Sequence, residues 1–273
     1  LDYRRLGRTG LTVSILGFGG IPIKDVPRGE AVAVVNRALD LGVNLIHTSI
    51  TYGDSAYKIG EVMDERRNDC YLAVKIGGSE RTAKEARVRL GATLEALKTD
   101  HVEIAELPVN AEDFPKAMGP GGAYEGLEKA RKEGVIDFIG ITSHDVGFLE
   151  DAIETGMFSN VIAPFSYVAT SARERLLDRA SRLDLGVIAM KALGKGGLPK
   201  PSQALWYVWQ HDIDTAIVGM KALSEVDQDV SAAENRRLLT QDEMEELRAV
   251  AEDVMANGRL KSSSAVMAGK GDA

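Results

Sequence analysis

The sequence predicts an α/β chain folded as a (β/α)8 TIM barrel, with an N-terminal β-hairpin and an extra C-terminal helix. Three observations point there. Eight short runs rich in Val, Ile and Leu alternate with eight amphipathic runs. The apolar runs show little polar alternation, as strands covered on both faces do. Several amphipathic runs stop at a glycine (Gly42, Gly134, Gly156), where helices commonly end. An alternation of this length is the pattern of a closed parallel barrel.

Taken in order, residues 4–7 (RRLG) and 12–16 (TVSIL) flank Arg8, Thr9 and Gly10 and read as a hairpin. The run 16–20 (LGFGG) opens the barrel and is followed by a helix over 29–42. Strand 43–48 (VNLIHT) precedes helix 55–66, strand 71–76 (YLAVKI) precedes helix 83–98, and strand 102–107 (VEIAEL) precedes helix 122–134. The second half repeats the unit, with strands at 137–143, 160–165, 186–193 and 215–220 and helices at 146–156, 171–184, 202–210 and 223–235. Trp206 and Trp209 lie three apart and share a helix face, which suits packing on the barrel better than an oligomer contact. A last helix over 240–255 opens with Thr240 and Glu243, the spacing of a capping box. Residues 261–273 are small and polar and read as a mobile tail. No linker divides the rest, so 1–260 reads as one barrel domain.

Composition narrows the function. The chain has 273 residues, 44% of them hydrophobic, enough for one large core. A net charge of −8 argues against nucleic acid or an anionic membrane as the main partner. Cys70 is the one cysteine, which excludes an internal disulfide and a cysteine-built metal site. No run approaches 18 apolar residues, and the opening LDYRRLGRTG lacks the apolar stretch of a signal peptide, so a cytoplasmic location is expected. The histidines show no metal-ligand spacing with a carboxylate, and no metal is expected. Oligomeric state is not legible.

Barrel active sites lie at the C-terminal ends of the strands. The positions so singled out are Gly19 and Gly20, His47 to Tyr52, Lys75, Glu106 to Asn110, Ser143 and His144, Phe165, Met190 and Lys191, and Gly219 to Lys221. Lys75 closes an apolar strand, and Tyr52 stands in TYGDS beyond His47. His47 is weighed as a pocket residue against a satisfied core histidine. Lys195, in LGKGG (193–197), and the backbone N–H groups around it suit a pyrophosphate.

Six ordered segments, among them YRRLGRTGLTVSILGFGG, TYGDS, LAVKI, GPGGAYEGLEKARKEGVIDFIGITSH, GVIAMKAL and TAIVGMKALSEVDQDVSAAE, together resemble the aldo-keto reductase superfamily. The likeness runs from about residue 3 to about 256 and is nearest to a bacterial and archaeal branch related to iron–sulfur-tailed members. One cysteine cannot hold such a cluster. The resemblance implies a barrel that binds NADPH or NADH and acts on a small-molecule carbonyl or alcohol with an aspartate, a tyrosine, a lysine and a histidine. Tyr52 and Lys75 fall on the tyrosine and lysine. His47 takes the aspartate place and Pro108 the histidine place. Two of the four are therefore replaced.

The resemblance also assigns the cofactor contacts to Gly19, Gly20, Ser143, His144, Met190, Lys191, Leu193, Gly194, Lys195, Gly219, Met220, Lys221, Gln228 and Asp229. Ile162 stands where an amide-holding glutamine is usual, and Glu225 would repel a 2′-phosphate. Loss of the aspartate removes the counter-charge of Lys75, whose pKa should then fall if it is poorly solvated. The expected function is a nicotinamide-dependent oxidoreductase with a modified catalytic set. Two other readings stay open. One is a non-redox lyase or isomerase using Lys75, Tyr52 and His47 as acid–base or imine-forming groups; the other is a non-catalytic cofactor-binding sensor.

Overall fold

Eight parallel strands close on one another in a computed structural model of the chain that describes residues 1–77 and 81–256. Residues 3–5 and 12–14 form the hairpin strands β1 (Tyr3–Arg5) and β2 (Thr12–Ser14). The barrel strands are β3 (Leu16–Gly19), β4 (Leu45–Thr48), β5 (Tyr71–Lys75), β6 (Val102–Pro108), β7 (Ile136–Thr142), β8 (Asn160–Pro164), β9 (Gly186–Met190) and β10 (Thr215–Gly219). They run in chain order round the barrel, and β10 pairs with β3 to close it. The predicted (β/α)8 TIM barrel is the observed fold.

The hairpin caps the N-terminal end. Its two strands are joined through a single 3-10 turn, Gly7–Thr9, which lies against β9. Gly7 has a φ of +44°, and a Cβ there would collide with the backbone of Gly186. Leu6 and Val13 enter the barrel from below and join Leu45, Ala73, Ile104, Ile162 and Ile188 in a small interior cluster. The larger core lies between strands and helices.

Most helices sit where their periodicity places them. The helix over 29–42 is observed as Arg28–Asp40, with Gly42 just beyond it at φ +89°. The last helix, Gln241–Ala256, keeps its predicted capping box: Glu243 N donates to Thr240 Oγ1 at 3.2 Å and Thr240 N to the Glu243 carboxylate at 2.9 Å. The segment 171–184 departs from expectation. It forms two helices, Ser171–Glu174 and Leu176–Arg182, because Arg175 leaves the helical region at φ −137°. Strand β9 stops at Met190, three residues short of expectation, since Lys191 turns left-handed at φ +60°. A 3-10 helix at Ile21–Asp25 and a short helix at Phe114–Met118 carry no periodic signal; each has a proline in its first turn.

Trp209 is buried and donates its Nε1–H to Ile15 O, and Trp206 donates to Ala232 O, both at 2.8 Å. Both tryptophans pack within the chain, but on different neighbours. The tail 261–273 lies outside the described residues. Among those described, no helix is long and apolar enough to cross a membrane.

One polar row crosses the barrel interior. Glu106, Gly140 and Asn160 are in register on β6, β7 and β8. Asn160 Nδ2 donates to Glu106 Oε1 at 2.6 Å. A Cβ on Gly140 would run into Glu106 Oε2 and Asn160 Oδ1, so the glycine leaves the space both occupy. Both atoms are sealed from solvent without a partner. Burial pushes the Glu106 carboxyl up to about 8, so it is a neutral acid at neutral pH and carries the proton that these two acceptors lack.

A pH dependence follows. Folded Glu106 holds its proton to about 8, whereas in the unfolded chain it ionises near 4.5. The stability it contributes is full below 4.5 and is lost as pH rises toward 8, at up to about 1.4 kcal/mol per unit. Glu106→Gln should flatten that decline in denaturant titrations between pH 5 and 8. Equal slopes in both proteins would show that Glu106 ionises normally.

Candidate functional site

The C-terminal end of β4 and the loop after it form the centre of the site. Gly20 N donates to His47 O at 2.8 Å, which ties the end of β3 to β4. Ser55 Oγ donates to Gly20 O at 2.7 Å and lies 3.1 Å from Thr48 Oγ1. Ser49 Oγ donates to Lys75 O at 2.8 Å and so fixes the loop to the end of β5. Tyr52 N donates to Ser49 O at 3.0 Å, and Ser55 N to Tyr52 O at 3.1 Å. Gly53 follows at φ +58°, a turn that favours glycine. Buried Lys58 completes the frame: its Nζ donates to the carbonyls of Ile23, Lys24 and Val26 and pairs with Asp54 at 2.8 Å. Tyr52 is thus held by two backbone bonds, one through its N–H and one through its carbonyl.

The sequence-derived trio comes together. Lys75 Nζ stands 5.6 Å from the centre of the Tyr52 ring, and the His47 and Tyr52 rings are 6.2 Å apart. Among the described residues no carboxylate joins them. Among the described residues Lys75 Nζ has no hydrogen bond and no ion pair. Glu106 is in register with Lys75 on the next strand, yet its carboxyl turns to Asn160. Pro108 ends β6 and offers no donor.

The electrostatics follow from burial. His47 is 7% exposed, its Nε2 is sealed without a partner, and desolvation together with the Lys75 charge pushes its pKa down to about 3. It is a neutral imidazole at physiological pH. The Tyr52 phenol is pushed up to about 12 by desolvation. Lys75 is lowered, first by desolvation and then by the charge of Arg81, which itself pairs with Asp113 at 3.1 Å. All three shifts favour the neutral form.

The expected cofactor positions ring the same end with mixed availability. Gly19 ends β3, in register with His47 on one side and Gly219 on the other. Gly20 spends both its backbone groups on the β4 frame and is buried. Ser143 and the exposed His144 follow β7, where Ser143 Oγ accepts from Asp145 N at 3.3 Å. Met190 is half-buried against the interior cluster. Lys191 is half-buried and Lys195 exposed, both at φ +60°. Exposed Gly219 has Pro22 packed against it, and Met220 is wholly buried in the core. Lys221 and Gln228 are exposed.

One expectation is corrected. The turn 193–197 does not present a row of free N–H groups. Gly194, Gly196 and Gly197 N donate to Lys191, Leu193 and Gly194 carbonyls, because the segment winds into the 3-10 turn Gly194–Gly196 around Leu193. Glu225 accepts from Lys221 N at 2.7 Å, and buried Asp229, one turn on, is pushed up to about 7 by desolvation and by Glu225. Sequence reasoning also missed Lys58 and Arg81, whose roles depend on contacts across loops. His211 is half-buried, with Nδ1 2.7 Å from Tyr207 O and its ring 5.1 Å from that of Phe165. Among the described residues no group of three or more His, Cys, Asp or Glu is placed to hold a metal.

Comparisons with known proteins agree with the architecture. The model of a family described as "Aldo/keto reductase family" matches residues 15–204. L-galactose dehydrogenase of Arabidopsis thaliana is 26% identical over 93% of this chain and 95% of its own length. The uncharacterized oxidoreductase YqkF of Bacillus subtilis is 26% identical over 85% of this chain and 80% of its own. Among solved structures, the holo form of the aldo-keto reductase AKR11C1 from Bacillus halodurans superposes with a TM-score of 0.80 at 21% identity, covering 92% of this chain and 96% of that one. An aldo-keto reductase from Klebsiella pneumoniae in complex with NADPH gives 0.79 at 18% identity, covering 92% and 95%.

His47 makes the site sensitive to acid. The unfolded chain takes a proton there near 6.5 and the folded chain only near 3. Stability is therefore lost as pH falls through that window, by up to about 1.4 kcal/mol per unit. His47→Gln should reduce the acid-side slope of melting temperature between pH 6.5 and 4. A slope unchanged by the substitution would place the imidazole in contact with water.

Proposed function

The chain belongs to the aldo/keto reductase family, and from that premise we propose that it is a nicotinamide-dependent oxidoreductase that interconverts a small carbonyl compound and its alcohol. The observation that carries this reading is the Tyr52–Lys75 pair, held 5.6 Å apart at the end of the barrel where such sites lie. Tyr52 keeps its proton up to about 12 and is therefore always loaded as an acid at neutral pH. It donates to the carbonyl oxygen in reduction and takes the proton back in oxidation. Lys75 above the ring stabilises the phenolate that forms as the proton leaves. Neutral His47 and Pro108 in the other two places make this a modified set that leans on Tyr52 for proton transfer.

A dinucleotide, NADPH or NADH, supplies the hydride when bound. Ser143 and His144 beyond β7 suit its carboxamide, and the lysines at 191, 195 and 221 suit its phosphates by charge. The NADPH held by the Klebsiella pneumoniae protein supports this assignment. Glu225 lies beyond β10, where the 2′-phosphate of NADPH would meet like charge, so the reading carries no preference for NADPH over NADH.

Carbonyl reduction should be measured with both dinucleotides over a panel of aldehydes and ketones, alongside calorimetric dinucleotide binding. Saturable binding with turnover is expected, and Tyr52→Phe should lower kcat by about 10²-fold or more. Neither binding nor turnover with any pair would refute the reading. Glu225→Gln should tighten NADPH by about threefold to tenfold and leave NADH unchanged.

A further inference from the structure

We propose that Lys75 is an imine-forming nucleophile, whose amine condenses reversibly with small aldehydes at the barrel mouth and gives this chain a covalent, non-redox site. The proposal goes beyond the reduction reading and needs no dinucleotide.

Partnership is the first ground. A lysine that stays an ammonium in a half-buried place needs acceptors for its three N–H groups. Lys58 shows how this chain provides them, with three carbonyls and Asp54. Lys98 and Lys200 pair with Asp64 and Glu246. Among the described residues Lys75 Nζ has no such acceptor, and it is not one of the sealed polar atoms.

The groups facing Lys75 from each packed element are the second ground. From β4 comes His47, a neutral imidazole. From the loop after β4 comes the face of the Tyr52 ring. From the segment after β5 comes the cationic influence of Arg81. From β6 come Pro108 and Glu106, whose carboxyl is spent on Asn160. Among the described residues nothing anionic stabilises the ammonium, and the Arg81 charge opposes it. These surroundings shift the balance toward the free amine, whose lone pair is a nucleophile.

The third ground is the proton donor beside it. Lys75 Nζ adds to the carbonyl carbon, and the carbonyl oxygen takes the Tyr52 proton. The proton lost by nitrogen returns to the phenolate and leaves a carbinolamine. Tyr52 then protonates the hydroxyl, water departs, the C=N bond forms, and the iminium proton restores the phenol. Amine and aldehyde become imine and water, with Tyr52 unchanged.

The test uses the whole chain with propanal and sodium cyanoborohydride at pH 7, without dinucleotide, followed by peptide mass spectrometry. Cyanoborohydride reduces the C=N bond to a stable secondary amine. Lys75 should be propylated at least about threefold faster than exposed Lys132, since desolvation favours its free amine and Tyr52 stands beside it as proton donor. His47→Asp, which returns a carboxylate to β4, should slow Lys75 labelling by about tenfold and leave Lys132 unchanged. If that variant does not fold, Tyr52→Phe serves, by slowing labelling at Lys75 alone. Labelling of Lys75 no faster than Lys132 in the wild-type chain overturns the proposal, whatever the dinucleotide assays give. Turnover or its absence bears on the reduction reading separately.

Discussion

A cation without an acceptor is hard to keep inside a protein, and the mouth of this barrel is organised round one. Lys75 ends a strand whose neighbours could have answered its charge. β4 places His47 beside it, and β6 commits its carboxyl to Asn160. The same chain satisfies Lys58 four times over within a few residues of Tyr52. The contrast separates a lysine that holds a loop from one left open for chemistry. Unpaired ammonium and desolvation act in the same direction, toward the neutral amine.

That constraint sets the protonation of the whole site. Burial lifts the Tyr52 phenol, depresses the His47 imidazole and lowers Lys75, so each of the three is shifted toward its neutral form. A low-charge pocket makes Tyr52 a reliable donor and a reluctant phenolate. It also weakens the electrostatic help that Lys75 gives, because only a charged lysine pulls on the phenol. Reduction and imine formation then draw on different forms of one residue. In the two proposed reactions the ammonium would serve hydride chemistry and the free amine condensation, with Tyr52 moving the proton in both.

The strands were legible because their apolar runs are buried on both faces, and the helices because period and terminal glycines agree. Tyr52, Lys75, His47 and Pro108 were located by resemblance, and the altered set was visible as letters alone. Its consequences were not. The Glu106–Asn160 pair spans 54 residues and meets only because β6, β7 and β8 align in register over Gly140. Lys58 reads as an exposed helix residue until Ile21–Asp25 folds over it. The glycines at 193–197 look like a ready anion cradle, but their flexibility lets the turn close on its own carbonyls. In each case the missing information is a long-range contact or a local bond that competes with a ligand.

The unsatisfied atoms argue against a relic. Among the described residues His47 Nε2 is sealed and partnerless, and the neighbouring Lys75 Nζ has no hydrogen bond or ion pair. A buried polar group left without a partner costs about 1–3 kcal/mol. A scaffold kept only for its shape would be more stable with apolar residues at these places. Locally unfavourable choices that persist where strands end in a barrel mouth are the mark of a working site. A bound carbonyl supplies what the pocket lacks: its oxygen accepts from Tyr52, and its carbon meets either hydride or the Lys75 amine. Ligand binding should therefore return part of the stability that the empty site gives up, and the enzyme reading rests on that compensation.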